Sequence, residues 1–308
     1  MQDNEKAVDN WLPILNIPEG KAGKFSIKHK VTPAMEEITV VSMRTALFAG
    51  QKPMVIKYDS PMTYTYLCEL DGVWMSDTPP EQIQHKEVAK KCSGRILVGG
   101  LGLGLVATML AKKKSVTSIV VIEKEKDVID LVWKHLDLKG KGEIIHQDLF
   151  DYLKQDMNKE HFDYCYFDIW SPDSERVLYE YVIPLRKLAL KYVDSVSRII
   201  CWQEDIMRGQ LLTNIATSIM FNWDKILEMN SKDFDDIYGK WDRPQYAFWN
   251  WVRETKPDQE VAKFMMHRYV KRLGTEAWRK EWEKWDMTKD RQIRMSLKEK
   301  SSVPAEMT

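Results

Sequence analysis

The sequence predicts an α/β fold: a doubly wound, Rossmann-like, mostly parallel sheet with an N-terminal β-hairpin attachment and a C-terminal helical extension. Three observations predict it. Nearly continuous apolar runs, ILV at 96–98, IVVI at 119–122 and YCYF at 164–167, are the pattern of parallel strands covered by helices on both faces. Amphipathic segments alternate with these runs, the order that builds βαβ units. A glycine-rich turn, Gly99 to Gly104, joins the first run to a helix pattern, as open nucleotide-binding sheets require.

Each element follows from local pattern. Between Lys24 and Ser76 the texture is short and β-rich, with strand candidates at 38–43, 54–58 and 63–75 broken by Gly50, Pro53, Asp59, Pro61 and Asp71-Gly72. The Asp-Gly pair between two apolar segments is a hairpin signal. After Asp77, strand candidates at 95–99, 118–123, 143–146, 162–168 and 198–202 alternate with helix candidates at 104–114, 126–136, 148–155, 175–192 and 206–221. The aromatic and β-branched stretch 244–254 reads as a late edge strand returning to the sheet. From Lys256 onward the chain reads as helix, and Trp278, Trp282 and Trp285 fall on one helical stripe that suits packing. The expected division is a β-rich attachment at 1–76, a nucleotide-binding domain at 77–254 and a helical extension at 255–308.

Composition narrows the function classes. With 308 residues the chain can bury a sizeable core. Its 46 Lys and Arg balance 46 Asp and Glu, which removes any whole-chain attraction to nucleic acid or membrane. Cys68, Cys92, Cys165 and Cys201 show neither C-x-x-C spacing nor a nearby His pair, so the expectation is reduced thiols with no metal site and no disulfide framework. The N-terminus is polar, and no apolar run reaches membrane length, so a cytoplasmic protein is expected. His85, His135, His146 and His161 are scattered and read as satisfied or solvated side chains.

The chemistry-bearing motif is RILVGGLGLGL at 95–105. Glycines suit a sharp turn at which a ligand meets bare backbone, and helix N-terminal amides favour an anionic group there. Glu123 lies about nineteen residues after Gly104, at the end of the next strand, where an acid accepts hydrogen bonds from ribose hydroxyls. The dinucleotide spacing G-x-G-x-x-G fails, because counting from Gly100 its last position is Leu105. Asp148 follows the third strand candidate, where a carboxylate can accept an adenine amine or act as a helix N-cap. Asp168 ends the fourth strand candidate, on the rim where open sheets bind ligands. Trp170 after it is either packing or a stacking surface for a planar or cationic acceptor.

From about Thr65 to Pro172 these segments resemble the spermidine synthase branch of the class I S-adenosylmethionine-dependent methyltransferase superfamily, over about a third of the chain. The resemblance rests on LDGVWMSDTPPEQIQHKE, LVGGLGLG, VVIEKE, HQDLFDYL and FDIWSP. It implies S-adenosylmethionine, or its decarboxylated form, contacted by Gly99, Gly100, Leu101, Gly102, Gly104, Glu123, Lys124, Asp148, Leu149 and Asp168. Catalysis would fall to Asp168, Trp170 and Ser171, with Asp77, Glu81, Asp173 and Glu204 as further acids. Two departures bear on the reaction. Gly102 stands where the aminopropyltransferases have an Asp, and Ser171 replaces their second acid at the strand end.

A glycine loop without an acid accepts a cofactor carboxylate free of like-charge repulsion. The leading expectation is therefore a methyltransferase acting on a small-molecule acceptor. Aminopropyl transfer to a polyamine is the second reading, and a cofactor-binding or interaction protein without chemistry the third. Nucleic acid and membrane partners are not indicated, and the hairpin attachment and aromatic density suggest a homodimer.

Overall fold

The computed structural model describes residues 15–42, 52–155, 161–170, 175–234, 236–237 and 243–273. Ser171, Asp173 and the stripe of Trp278, Trp282 and Trp285 lie outside the described residues. The chain divides into two compact units, one of residues 1–172 and 188–203, the other of 173–187 and 204–308.

In the first unit, β1 (Gly20–Ala22), β2 (Phe25–Thr32), β3 (Ile38–Val41), β4 (Met54–Ile56), β5 (Met62–Glu69) and β6 (Gly72–Ser76) are antiparallel. They form a four-stranded sheet of order β1-β2-β5-β6 and a separate β3-β4 pair. The hairpin expected at Asp71-Gly72 joins β5 to β6. Its ladder slips by one residue: Cys68 pairs with Val73 but Leu67 pairs with Met75, which makes Trp74 the extra residue of a bulge. A bulge re-aims the side chains beyond it.

Helix α1 (Pro79–Lys91) follows, an element the sequence pattern does not announce. Its apolar periodicity is weak and Pro79-Pro80 looks like a breaker. At the first helical positions, however, proline costs no hydrogen bond and supplies the right φ.

In chain order there follow β7 (Gly94–Gly99), α2 (Leu105–Ala111), β8 (Val116–Glu123), α3 (Lys126–Val132), β9 (Gly142–His146), α4 (Leu149–Lys154), β10 (Tyr164–Phe167), α5 (Glu175–Val177), α6 (Ile183–Ala189) and β11 (Ile199–Cys201), and the five strands form one sheet. Strand order is β11-β10-β7-β8-β9, all parallel. This is the Rossmann-like α/β fold that the sequence predicts, with the order reversing between β7 and β10. Ile96, Val98, Ile119 and Val121 share one buried cluster with Phe25, Ile27 and Leu67 of the antiparallel sheet. Helix α3 packs on β1 and β2 as well as on β8, so the two sheets have a common core.

The described residues of the second unit, to which α5 and most of α6 belong, are mostly helical. α7 (Glu204–Glu228) is longer than the 206–221 expected and buries Ile206, Leu211, Ile215, Ile219 and Ile226 along one stripe. It is followed by α8 (Ser231–Phe234), α9 (Arg243–Thr255) and α10 (Gln259–Arg272). The edge strand expected at 244–254 is thus corrected to helix. Pro244 occupies its first turn, where proline starts helices, and burial of Phe248, Trp249 and Val252 outweighs the β preference of aromatics. Phe248 packs on Trp249, Trp251 and Tyr269, with ring centroids 5.0, 5.7 and 5.4 Å away.

Candidate functional site

The glycine turn crosses the C-terminal ends of β7 and β10. Gly100 has φ of 94°, Gly102 of 50° and Gly104 of 70°, all in the left-handed region that side chains disfavour. A Cβ on Gly100 would collide with the carbonyl oxygen of Asp168. The loop therefore needs glycine for conformation and for close approach of two strand ends. Gly99 is fixed on Ile122 of β8 and on Phe167 of β10, and Leu149 packs over it. Gly104 begins α2, with its amide bonded to the Leu101 carbonyl at 2.7 Å.

Glu123 ends β8 beside this loop. Its Oε2 accepts the Leu101 amide at 2.8 Å and its Oε1 accepts the Glu125 amide at 2.8 Å. The carboxylate thus braces the turn, and each oxygen keeps a further lone pair for a ligand. Asp148 caps α4, its Oδ1 accepting the amides of Phe150 at 2.8 Å and Asp151 at 3.3 Å. The capping role weighed from sequence is therefore present, and it fixes the rotamer while Oδ2 takes no part in it. Lys124 presents its carbonyl to His146 Nε2 at 3.0 Å and leaves its side chain exposed.

Met75 lies on the same turn. Its Sδ accepts the Leu103 amide at 3.3 Å and sits 2.5 Å from where a Cβ on Gly102 would be.

Asp168 follows β10 and gathers a second group. Tyr166 Oη donates to its Oδ2 at 3.3 Å, and His85 Nε2 lies 3.8 Å from the same oxygen. Burial pushes the Asp168 carboxyl up to about 7, although hydrogen bonding from Tyr166 opposes the shift. Burial, followed by the Asp168 charge, pushes Glu81 up to about 8. His85 is 1% exposed. Burial pulls its imidazole down to about 4, which keeps it neutral, with the Glu81 backbone partly offsetting. The Tyr166 hydroxyl is raised well above its usual range by burial and then by Asp168 and Glu81. At neutral pH the Asp168 carboxyl is divided between its protonated and ionised forms while Glu81 is mostly protonated, which suits proton exchange with a substrate.

His85 was read from sequence as satisfied or solvated, and is instead sealed beside Asp168. Its signal was Glu81 and His85 at i, i+4, legible only once α1 is known to be a helix. Gln84, on the same helix, accepts from Gln203 Nε2 at 3.3 Å. Trp170 is buried at 5% exposure. Asp77 is fully buried and accepts the Thr65 amide at 2.7 Å, so it ties β5 to the start of α1. Glu204 belongs to the second unit, where Arg186 and Arg208 bond it. All four cysteines are buried and free. Among the described residues no group of three or more His, Cys, Asp or Glu side chains is placed to hold a metal ion, and no helix is long and apolar enough to cross a membrane.

No protein-family model and no curated protein sequence matches the chain. Solved structures similar to it include spermidine synthase in complex with the transition-state analogue AdoDATO, 14% identical over 48% of this chain and 59% of that one, with a TM-score of 0.34. Spermidine synthase from Thermotoga maritima is 13% identical over 53% of this chain and 61% of that one, with a TM-score of 0.33. The plantazolicin methyltransferase BpumL in complex with SAH is 19% identical over 37% of this chain and 41% of that one, with a TM-score of 0.27. The chain spans between 41% and 61% of the length of these proteins.

Proposed function

We propose that the chain is an S-adenosylmethionine-dependent transferase that moves a methyl group to a small-molecule acceptor held beside Asp168. The observation that carries this reading is the 2.8 Å bond from the Leu101 amide to Glu123, which ties the side-chain-free glycine turn to the acid at the end of the neighbouring strand. The residues fit an adenosyl cofactor. Gly102 carries no charge to repel a carboxylate, Glu123 has lone pairs for ribose hydroxyls, and Asp148 Oδ2 is available to an adenine amine. When bound, the cofactor supplies an electrophilic methyl group on a sulfonium. The chain's own share is to hold donor and acceptor in line, an effect worth up to roughly 7–11 kcal/mol in ideal cases. Asp168, with Glu81 behind it, takes a proton from the acceptor, and Tyr166 holds the Asp168 carboxyl in position.

Calorimetric titration with S-adenosylmethionine tests the reading. Saturable binding is expected, and Glu123→Ala is expected to weaken it by about 10- to 100-fold through loss of charge-assisted hydrogen bonds. Purified protein that gives no saturable heat would remove the proposal.

The pairing of Glu81 with Asp168 favours one further reading, aminopropyl transfer from decarboxylated S-adenosylmethionine to an amine. An ammonium group must lose a proton before it can attack, and the ionised form of Asp168, with Glu81 beside it, accepts that proton. Putrescine-dependent turnover of the decarboxylated cofactor would select this reading. Transfer of a labelled methyl group into a small-molecule fraction of cell extract would select the first.

A further inference from the structure

The thioether of Met75 is placed on the glycine turn by an irregularity of its own strand. In β6 the bulge at Trp74 breaks the alternation of side chains, so that Met75, paired with Leu67, faces the Gly102–Leu103 peptide. Val73 and Trp74 remain substantially exposed at 51% and 43%, while Met75 is half-buried. A thioether is a weak acceptor, and a backbone amide is a strong donor that a charged oxygen satisfies far better. The Leu103 amide therefore holds a replaceable partner, and the sulfur occupies the space that the missing side chain of Gly102 leaves open.

We propose that Met75 is a specificity-determining residue of the cofactor pocket: its sulfur accepts the Leu103 amide and gives way to a carboxylate on the incoming cofactor. The proposal rests on the cofactor reading above. A cofactor that keeps its carboxylate exchanges the weak S···H–N contact for a charge-assisted bond, at the cost of moving Met75. A decarboxylated cofactor has no group for the amide, so Met75 stays where it is. Met75 thus sets the ratio of affinities for the two cofactors, and its flexible unbranched side chain suits a residue that must change rotamer.

The test measures dissociation constants of S-adenosylmethionine and decarboxylated S-adenosylmethionine by calorimetry for the full chain and for Met75→Ala. Removing the sulfur lifts the displacement cost from the carboxylated cofactor only. The ratio is expected to shift about fivefold to tenfold toward S-adenosylmethionine, the size of one weak hydrogen bond and its packing. Loosening of the fold alone would scale both affinities together, so an unchanged ratio overturns the proposal. A second variant, Met75→Gln, restores an oxygen acceptor at nearly the same length and is expected to return the ratio toward the wild-type value; a ratio like that of Met75→Ala would count against the exchange. Should the wild-type chain bind neither cofactor, the cofactor reading itself falls, whereas binding of both with an unmoved ratio sinks only the role of Met75.

Discussion

Asp168→Asn is expected to lower transfer by about 10²- to 10⁴-fold, the range of a general base, and at the same time to stabilise the fold above neutral pH. The second effect follows from the direction of the shift. Burial raises the folded carboxyl from 3.8 to about 7. The stability associated with the protonated group is therefore complete below about pH 4 and is lost as pH rises through about 7. Glu81, raised from 4.5 to about 8, adds a loss over a similar window. His85, lowered from 6.5 to about 4, works in the other sense: it costs stability as pH falls below about 6.5.

Asparagine has no charge to desolvate and also removes the repulsion felt by Glu81. The variant should gain about 1–3 kcal/mol over wild type at pH 8 and nothing at pH 4. Urea denaturation at pH 4, 6 and 8, alongside turnover, reads both effects. Equal stability at all three values together with retained turnover would remove Asp168 from the mechanism. A site that lowers stability where it acts is the expected signature of a catalytic carboxyl kept in an unfavourable environment.

Glu204→Ala should have the opposite character, with a loss of about 3–5 kcal/mol that is independent of cofactor. Glu204 is 8% exposed. Arg186 Nη2 donates to it at 2.6 Å, with Nε contributing two contacts at 3.0 Å. Arg208 Nε adds a bond at 2.8 Å and Nη2 an ion pair at 2.6 Å. Arg208 also donates to the carbonyls of Val270 and Leu273 at 2.5 and 2.8 Å, which ties the start of α7 to the end of α10. Desolvation pushes the Glu204 carboxyl up, but the two guanidinium charges and their hydrogen bonds outweigh it and hold the group below its usual value. Its contribution is present above the ordinary carboxylate range and lost as pH falls through the lowered folded value.

Without the carboxylate, two largely buried guanidinium charges lose the anion between them. The urea midpoint should fall accordingly at pH 7, and replacing Arg186, Glu204 and Arg208 together by Met, Leu and Met should recover much of the loss. A midpoint change equivalent to less than about 1 kcal/mol would show that the triad is replaceable by water.

What was legible from sequence is confined to local chemistry. Continuous apolar runs fix which segments become covered strands, and Gly100, Gly102 and Gly104 mark the turn because only glycine tolerates φ values of 94°, 50° and 70° beside another strand. Glu123 and Asp148 could be placed because one ends a strand and the other follows one, and strand ends on one edge of a parallel sheet share a rim. The helix at 243–255 was misread because Phe248, Trp249 and Trp251 favour a strand when counted by type. Their state is set by what they bury against.

The remaining assignments belong to tertiary structure for a single physical reason: contacts between distant segments depend on which face each element turns inward. Glu81 and His85 reach Asp168 only because α1 is helical, which puts i and i+4 on one side. Glu204 meets Arg186 and Arg208 only through folding, and the Trp74 bulge turns Met75 onto Gly102. Sequence alone determined where the chain turns on side-chain-free backbone at Gly100, Gly102 and Gly104, since that is written in backbone torsions. Only the folded chain decided which acids, which imidazole and which sulfur stand around it, since burial and charge act through space rather than along the chain.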